Sequence, residues 1–221
     1  MIQIQKFTFN LFSENTFVLW DDDSKECAIV DPGCSNNSEE TELKNFVINS
    51  NLNVKYLINT HCHIDHILGC EFVKEKFNPI YYAPELDIPL LQNAKNQASF
   101  VGIDFSISIR PDEFITEDKV LYLGISKLSF LFTPGHTPGE YCIYIPDIHT
   151  CITGDVLFYD SIGRTDLWGG NYDVLIQSIR LKLLTLPGET KIFPGHGESS
   201  NIEREEKFQF IFKLTNSAGI I

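Results

Sequence analysis

Basic residues are scarce in this chain of 221 residues: 17 lysines and arginines face 30 aspartates and glutamates, for a formal net charge of −13. A surface of that sign repels phosphate backbones and anionic headgroups, so neither nucleic acid nor a membrane is expected as a partner. Long apolar runs are also missing, and none reaches the roughly 18 residues that a bilayer-spanning helix needs. The first ten residues lack the basic start, apolar block and small-residue cleavage site of a secretory leader. They alternate apolar and polar side chains instead, as an amphipathic strand does. Cys-x-x-Cys pairs are absent: Cys27, Cys34, Cys62, Cys70, Cys142 and Cys151 are irregularly spaced. The expectation is a cytoplasmic protein with reduced thiols. There are no repeats and no low-complexity tracts. With 43% hydrophobic and 12% aromatic residues, the chain can bury a good core. A single domain over residues 1–221, closing on a short helix, is expected.

Strands are predicted over residues 15–20 and 26–31, joined by the acidic turn Asp21-Asp22-Asp23-Ser24 and ended by Asp31-Pro32-Gly33. Ser38 is placed to cap a helix over residues 39–49, with Leu43, Phe46 and Val47 on one face. A strand over 54–59, a helix over 67–77 and a brief strand over 80–83 follow. Pro84 is suited to open a helix toward Phe100, whereas residues 101–118 show no period. Strand patterns return at 119–123, 127–133, 140–145 and 150–153. A helix over 173–186 stops at Pro187-Gly188. A short strand at 191–193 and a terminal helix over 202–215 complete the series. Two half-sheets packed face to face with helices outside satisfy this order, as do other α/β layerings.

The strongest chemical signal is Thr60-His61-Cys62-His63-Ile64-Asp65-His66, directly after a predicted strand. Imidazole nitrogen and carboxylate oxygen are good donors to zinc and similar cations. In extended backbone His61 and His63 point the same way and Cys62 the other. A turn after them swings Asp65 and His66 toward a neighbouring point. Three further segments each place a donor at a break in structure: His136 within Thr133-Pro134-Gly135-His136-Thr137-Pro138-Gly139, Asp155 after Thr153-Gly154, and His196 within Phe193-Pro194-Gly195-His196-Gly197. Singly, each reads as an ordinary turn. Jointly they hold five of the six histidines. The sixth, His149, reads as a surface residue in a hairpin turn.

The His-x-His-x-Asp-His segment followed by isolated His, Asp and His resembles the metallo-β-lactamase superfamily, over residues 15–197. Gly154-Asp155-Val156-Leu157-Phe158, with Ser161-Ile162-Gly163-Arg164-Thr165-Asp166-Leu167, is similar to the corresponding stretch of the glyoxalase II (hydroxyacylglutathione hydrolase) group and its short bacterial relatives. The resemblance implies an α/β (α+β) fold, the four-layer αβ/βα sandwich of that superfamily. It implies one metal on His61, His63 and His136, a second on Asp65, His66 and His196, and Asp155 bridging the two. The expected cofactors are two divalent metal ions, zinc first, with iron and manganese also suited to these donors. Asp65 and Asp155 are the candidate catalytic residues, Asp31 a residue that orients the donors, and Arg164 a substrate-binding residue.

Two clustered cations lower the pKa of a shared water, so the implied reaction is hydrolysis without a serine or cysteine nucleophile. The implied partner is a small-molecule substrate, an acyl thioester such as S-lactoylglutathione. The sequence departs from full-length glyoxalase II in one respect: only 25 residues follow His196, with Lys207 and Lys213 the last lysines. Full-length members carry a long carboxyl-terminal region with basic glutathione anchors, and against that pattern another acyl thioester is also an expected substrate. Persulfide dioxygenases, similar in fold, use a single iron on positions matching His61, His136 and Asp155, all present here. A metal-stabilised binding protein without turnover is the non-enzymatic alternative.

Overall fold

The computed structural model describes residues 1–207. Its first sheet runs in sequence order. Strands β1 (Ile2–Phe9), β2 (Glu14–Asp21) and β3 (Glu26–Val30) pair antiparallel; β4 (Asn53–Ile58), β5 (Ile80–Ala83) and β6 (Glu113–Phe114) continue it in parallel. Parallel neighbours need a crossover. Helix α1 (Asn37–Asn49) supplies the first, and the short α2 (Ile64–Ile67) with α3 (Cys70–Phe77) the second. Helices α4 (Ile88–Gln92) and α5 (Ala94–Phe100) lie between β5 and β6. The second sheet begins as the antiparallel meander β7 (Val120–Leu123), β8 (Ser126–Phe132), β9 (Tyr141–Ile145) and β10 (Thr150–Gly154). A small hairpin of β11 (Leu157–Phe158) and β12 (Ser161–Ile162) follows, then α6 (Tyr172–Ser178), whose last turn widens into π geometry over Ile179–Leu183. Strand β13 (Lys191–Pro194) pairs parallel to β10, and β14 (Ser200–Asn201) closes that edge.

Alternation along the strands sets the layers. On β3, Cys27 and Ile29 face one apolar cluster, which α1, α3, α4 and α5 cover. Ala28 and Val30 face a second, where they meet Phe130, Ile143 and Ile152 of the other sheet. On β9, Cys142 and Tyr144 turn to a third, shared with Leu175, Ile179 and Leu183 around α6. Three clusters between helix, sheet, sheet and helix make a four-layer αβ/βα sandwich, as the sequence led us to expect.

Most elements fall where the sequence places them, and three differ. Helix α1 is capped by Asn36, whose side chain accepts from Ser38 N at 3.0 Å and Glu39 N at 3.2 Å, and not by Ser38. The helix expected over 67–77 starts as α2 at Ile64, breaks at Leu68-Gly69 and resumes as α3. The segment after Pro84 is a 3-10 turn and two short helices: Pro89 lacks the N–H that would join the turn to α4 in one ladder, and α4 gives way to α5 at Asn93. The terminal helix begins at Ile202; its expected continuation from residue 208 lies outside the described residues. Among those residues no helix is long and apolar enough to cross a membrane. All six cysteines are free and buried.

Candidate metal centre

Four strands of the two sheets deliver their carboxyl ends to one point. The residue 61–66 segment follows β4, His136 follows β8, Asp155 follows β10 and His196 follows β13. Backbone bonds lock these ends together: Asn15 N to Gly195 O at 2.7 Å, Gly195 N to Gly154 O at 2.8 Å and Tyr141 N to Thr60 O at 2.9 Å. Close approach demands glycine at two positions. Gly154 has φ +49°, and a Cβ there would lie 2.6 Å from Thr60 Oγ1 and 2.7 Å from Glu140 Oε1. A Cβ on Gly195 would run into Asp155 Oδ1 and stand 2.7 Å from His66 Cε1.

All seven candidate donors meet here. His61, His63 and His136 offer ligand atoms within 4.8 Å of one another, and so do Asp65, His66 and His196. Asp155 reaches both sets: its Oδ2 is 3.5 Å from His136 Nε2 and 3.6 Å from His196 Nε2, and its Oδ1 is 3.5 Å from His66 Nε2. His196 Nε2 lies 3.1 Å from Asp65 Oδ2. Cys62 points away into the apolar cluster under the helices, as strand alternation leads us to expect. His149 sits in a left-handed turn after β9, half exposed and far from this cluster in role.

Four imidazoles are anchored through Nδ1, which leaves Nε2 facing inward. His136 Nδ1 donates to Arg164 O at 2.7 Å, and His196 Nδ1 to Phe12 O at 3.1 Å. His61 Nδ1 lies 3.1 Å from Thr60 Oγ1 and 3.5 Å from Glu140 Oε1. His66 Nδ1 is 3.2 Å from Asp31 Oδ2, close enough for ion pairing though not aligned for a straight hydrogen bond. His63 presents Nδ1 instead, 2.8 Å from His136 Nε2. Anchoring one ring nitrogen fixes the tautomer and aims the other at a cation. Buried His61 Nε2, His66 Nε2 and Asp155 Oδ1 have no hydrogen-bond partner among the described residues. Orphaned acceptors converging in the interior are costly unless they bind something, so the donor set fits divalent cations.

Asp31 can be placed in a third group with His61 and His66, but its oxygens are already taken. They accept from Thr60 N at 2.7 Å, Thr60 Oγ1 at 2.6 Å and Asn59 Nδ2 at 3.3 Å. It orients His66 and is not itself a free donor.

The charge balance of the centre divides along the same lines. Burial, then the neighbouring imidazoles, pushes His61 well below its ordinary range, and burial takes His63 down to about 3. Burial lowers His136 in the same way. For His66 burial is outweighed by Asp65, Asp155 and Asp31, which hold it well above. For His196 burial is outweighed by the Asp65 hydrogen bond and Asp155. Burial works against the Asp65 carboxylate too, yet His66 and His196 hold it below its usual range. The Asp65–Asp155 side of the centre attracts positive charge, and the His61–His63 side supplies neutral nitrogen donors.

Three acids that the sequence did not single out support this set. Asp87 accepts from Cys62 N at 3.1 Å, Thr137 Oγ1 at 2.8 Å and Gly139 N at 2.7 Å, tying the first histidine loop to the second. Its burial pushes it up to about 6. Glu140 accepts from Asp155 N at 2.7 Å. Glu14 accepts from Thr16 Oγ1 at 2.9 Å and lies 3.9 Å from His66 Nδ1. Burial raises both glutamates well above the usual range. Arg164 lines the cavity over the centre, but its side chain is 62% exposed and is held by Asp166 at 2.7 and 2.8 Å.

Comparison with known proteins gives the lineage. The chain is 36% identical over 193 residues to a probable metallo-hydrolase, YqgX, of Bacillus subtilis, covering 87% of this chain and 89% of that one. It is 35% identical over 208 residues to the hydroxyacylglutathione hydrolase GloC of Haemophilus influenzae, covering 93% and 96%. Among solved structures, the BLEG-1 B3 metallo-beta-lactamase superposes with a TM-score of 0.85 at 30% identity, over 93% of this chain and 97% of that one. With the family model of the superfamily matching residues 10–196, the protein belongs to the metallo-beta-lactamase superfamily.

Proposed function

We propose that this metallo-hydrolase is binuclear and cleaves acyl thioesters of the S-lactoylglutathione kind. The observation that carries the reading is Asp155, whose two oxygens face the two donor sets. His61, His63 and His136 would hold one ion, and Asp65, His66 and His196 the other. Zinc suits these nitrogen and oxygen donors. A mononuclear centre would leave the second set, complete and no more than 27% exposed at any member, without a task. The hydroxyacylglutathione hydrolase relative is similar over 93% of this chain, which favours a thioester over a lactam.

Bound divalent ions supply Lewis acidity and water activated near neutral pH. The chain's own residues do the rest. Asp65, with its side chain 14% exposed and 3.1 Å from His196 Nε2, would accept a proton at its carboxylate during hydrolysis and pass it toward the open cavity. The His136 and His196 rings are fixed by backbone carbonyls, so they hold position as charge develops. The donors themselves are little exposed, Asp65 at 14% and His196 at 27%, and this burial strengthens each electrostatic contact among them. With Cys62 turned into the core, no thiol competes as nucleophile.

Metal content and S-lactoylglutathione turnover, measured on one preparation, test the reading. About two ions per chain and turnover are expected, with both lost in His61→Ala and Asp155→Ala. Full turnover and full metal in either variant would end it. One iron per chain with sulfite formed from glutathione persulfide would establish a dioxygenase. Bound metal with no turnover of thioester, ester or lactam would establish a binding protein.

A further inference from the structure

The cavity above the donor cluster is roomier and more apolar than hydrolysis alone requires. It encloses about 870 Å³. The α4–α5 segment and its end present Leu90, Phe100 and Val101 to it, and the stretch from β11 to α6 presents Phe158, Leu167 and Trp168. Phe100 is 92% exposed and Trp168 58% exposed. Large aromatic side chains left in water where they line a cavity mark a binding surface.

The polar groups on these walls are largely satisfied among themselves. Gln97 donates to Leu90 O at 2.8 Å and accepts from Ile64 N at 3.2 Å; Asn96 donates to Asn93 Oδ1 at 2.5 Å. Among the described residues, Arg164 is the single lysine or arginine in the lining, and Asp166 already engages it through two bonds. Glutathione carries two carboxylates and an ammonium group. Held against this lining, its carboxylates would meet one guanidinium already engaged by Asp166, on a chain of net charge −13.

We propose that the cavity selects thioesters with an uncharged thiol arm and an apolar acyl chain, in preference to glutathione conjugates. This rests on the hydrolase reading above and names its substrate class. The acyl chain lies against Phe100 and Trp168, and the thioester carbonyl reaches the Asp65–Asp155 floor. Each methylene added to the acyl chain buries more apolar surface and is expected to raise affinity about threefold.

Two readouts separate this inference from the reading beneath it. Trp168 is one of two tryptophans, so in a Trp20→Phe background its fluorescence reports the cavity. That protein, metal-loaded, is titrated with non-hydrolysable S-alkyl-N-acetylcysteamine thioethers of two, four and six carbons, and with S-methylglutathione. The dissociation constant is expected to fall about tenfold for every two carbons, with S-methylglutathione weaker than the six-carbon thioether. Phe100→Ala is expected to flatten the series; the side chain is 92% exposed, so its loss leaves the core intact. In turnover, kcat/KM for hexanoyl-N-acetylcysteamine is expected to exceed that for the acetyl thioester by up to about a hundredfold, and to exceed that for S-lactoylglutathione. A flat alkyl series, or S-lactoylglutathione as the better substrate, overturns the proposal. A steep alkyl series without hydrolysis of any thioester supports apolar selection and ends the hydrolase reading instead.

Discussion

Asp31 illustrates how much of the centre rests on groups that never touch the cavity. It holds φ +48°, a left-handed conformation that aspartate and asparagine tolerate better than most residues. That turn aims its carboxylate at Thr60 and His66 together. Asp31→Asn keeps the backbone conformation but puts an NH₂ opposite a donor and removes the charge behind His66. The expected result is a folded protein whose metal affinity falls about 10- to 100-fold, the usual scale for loss of such a partner. Chelator competition against the unaltered protein measures it, and unchanged affinity would assign Asp31 a purely structural role. The thiols make the opposite case, of reactive-looking groups with nothing to react with. Burial alone pushes Cys27 up to about 12, and burial with nearby Glu40 raises Cys34 further. At pH 8 a thiol shifted so far is ionised on the order of one part in ten thousand. A disulfide-exchange dye is expected to label fewer than about one thiol per folded chain within minutes, and all six after unfolding. Rapid labelling of the folded protein would show that these cysteines open to solvent.

Among the secondary elements, α1 separates two readings of one stretch of sequence. Asn36 and Ser38 are both capping residue types, and the pattern alone does not choose between them. The structure takes Asn36 because Glu39 then lies three residues on, where its carboxylate reaches back to Ser35 N at 2.7 Å and across to Asn10 N at 3.0 Å. Asn36→Ala is therefore expected to lower stability by about 1 kcal/mol and Ser38→Ala by no more than about 0.5 kcal/mol, read from urea unfolding. Equal losses would refute this cap. Elsewhere the legible elements are those with a pattern long enough to see: β1 to β5, β7 to β10, β13 and the start of α6. The β11–β12 hairpin and β14 have strands of two residues each, too short for any alternation. The metal donors were legible because histidine is rare: three of the six crowd into residues 61–66, and two more, His136 and His196, stand beside glycines. Glu14, Asp87 and Glu140 were not: a lone acid in sequence looks like a surface residue, and only the fold reveals that these three are fully buried.

At the scale of the whole molecule, the centre is a clasp between two sheets that already have cores of their own. Three apolar clusters, none of which needs the donor residues, hold the layers together. The donors, by contrast, come from both sheets, with His61 to His66 after β4 and His136, Asp155 and His196 after β8, β10 and β13. Without cations His61, His66 and Asp155 keep buried nitrogens and an oxygen without hydrogen-bond partners, and this destabilises the native state. A cation that binds the native state alone adds RT ln(1 + [L]/Kd), about 1.4 kcal/mol for each tenfold rise in free metal above Kd. For a chain of this size each kcal/mol moves the midpoint by roughly 2–4 °C. The thermal midpoint is therefore expected to rise by about 3–6 °C per decade of free zinc, while the far-ultraviolet circular dichroism of the chelated protein stays native-like. Asp155→Ala, which removes the carboxylate shared by both donor sets, is expected to reduce that slope by half or more. Collapse of secondary structure on chelation would mean instead that the metals nucleate the fold, and that the three apolar clusters are insufficient without them.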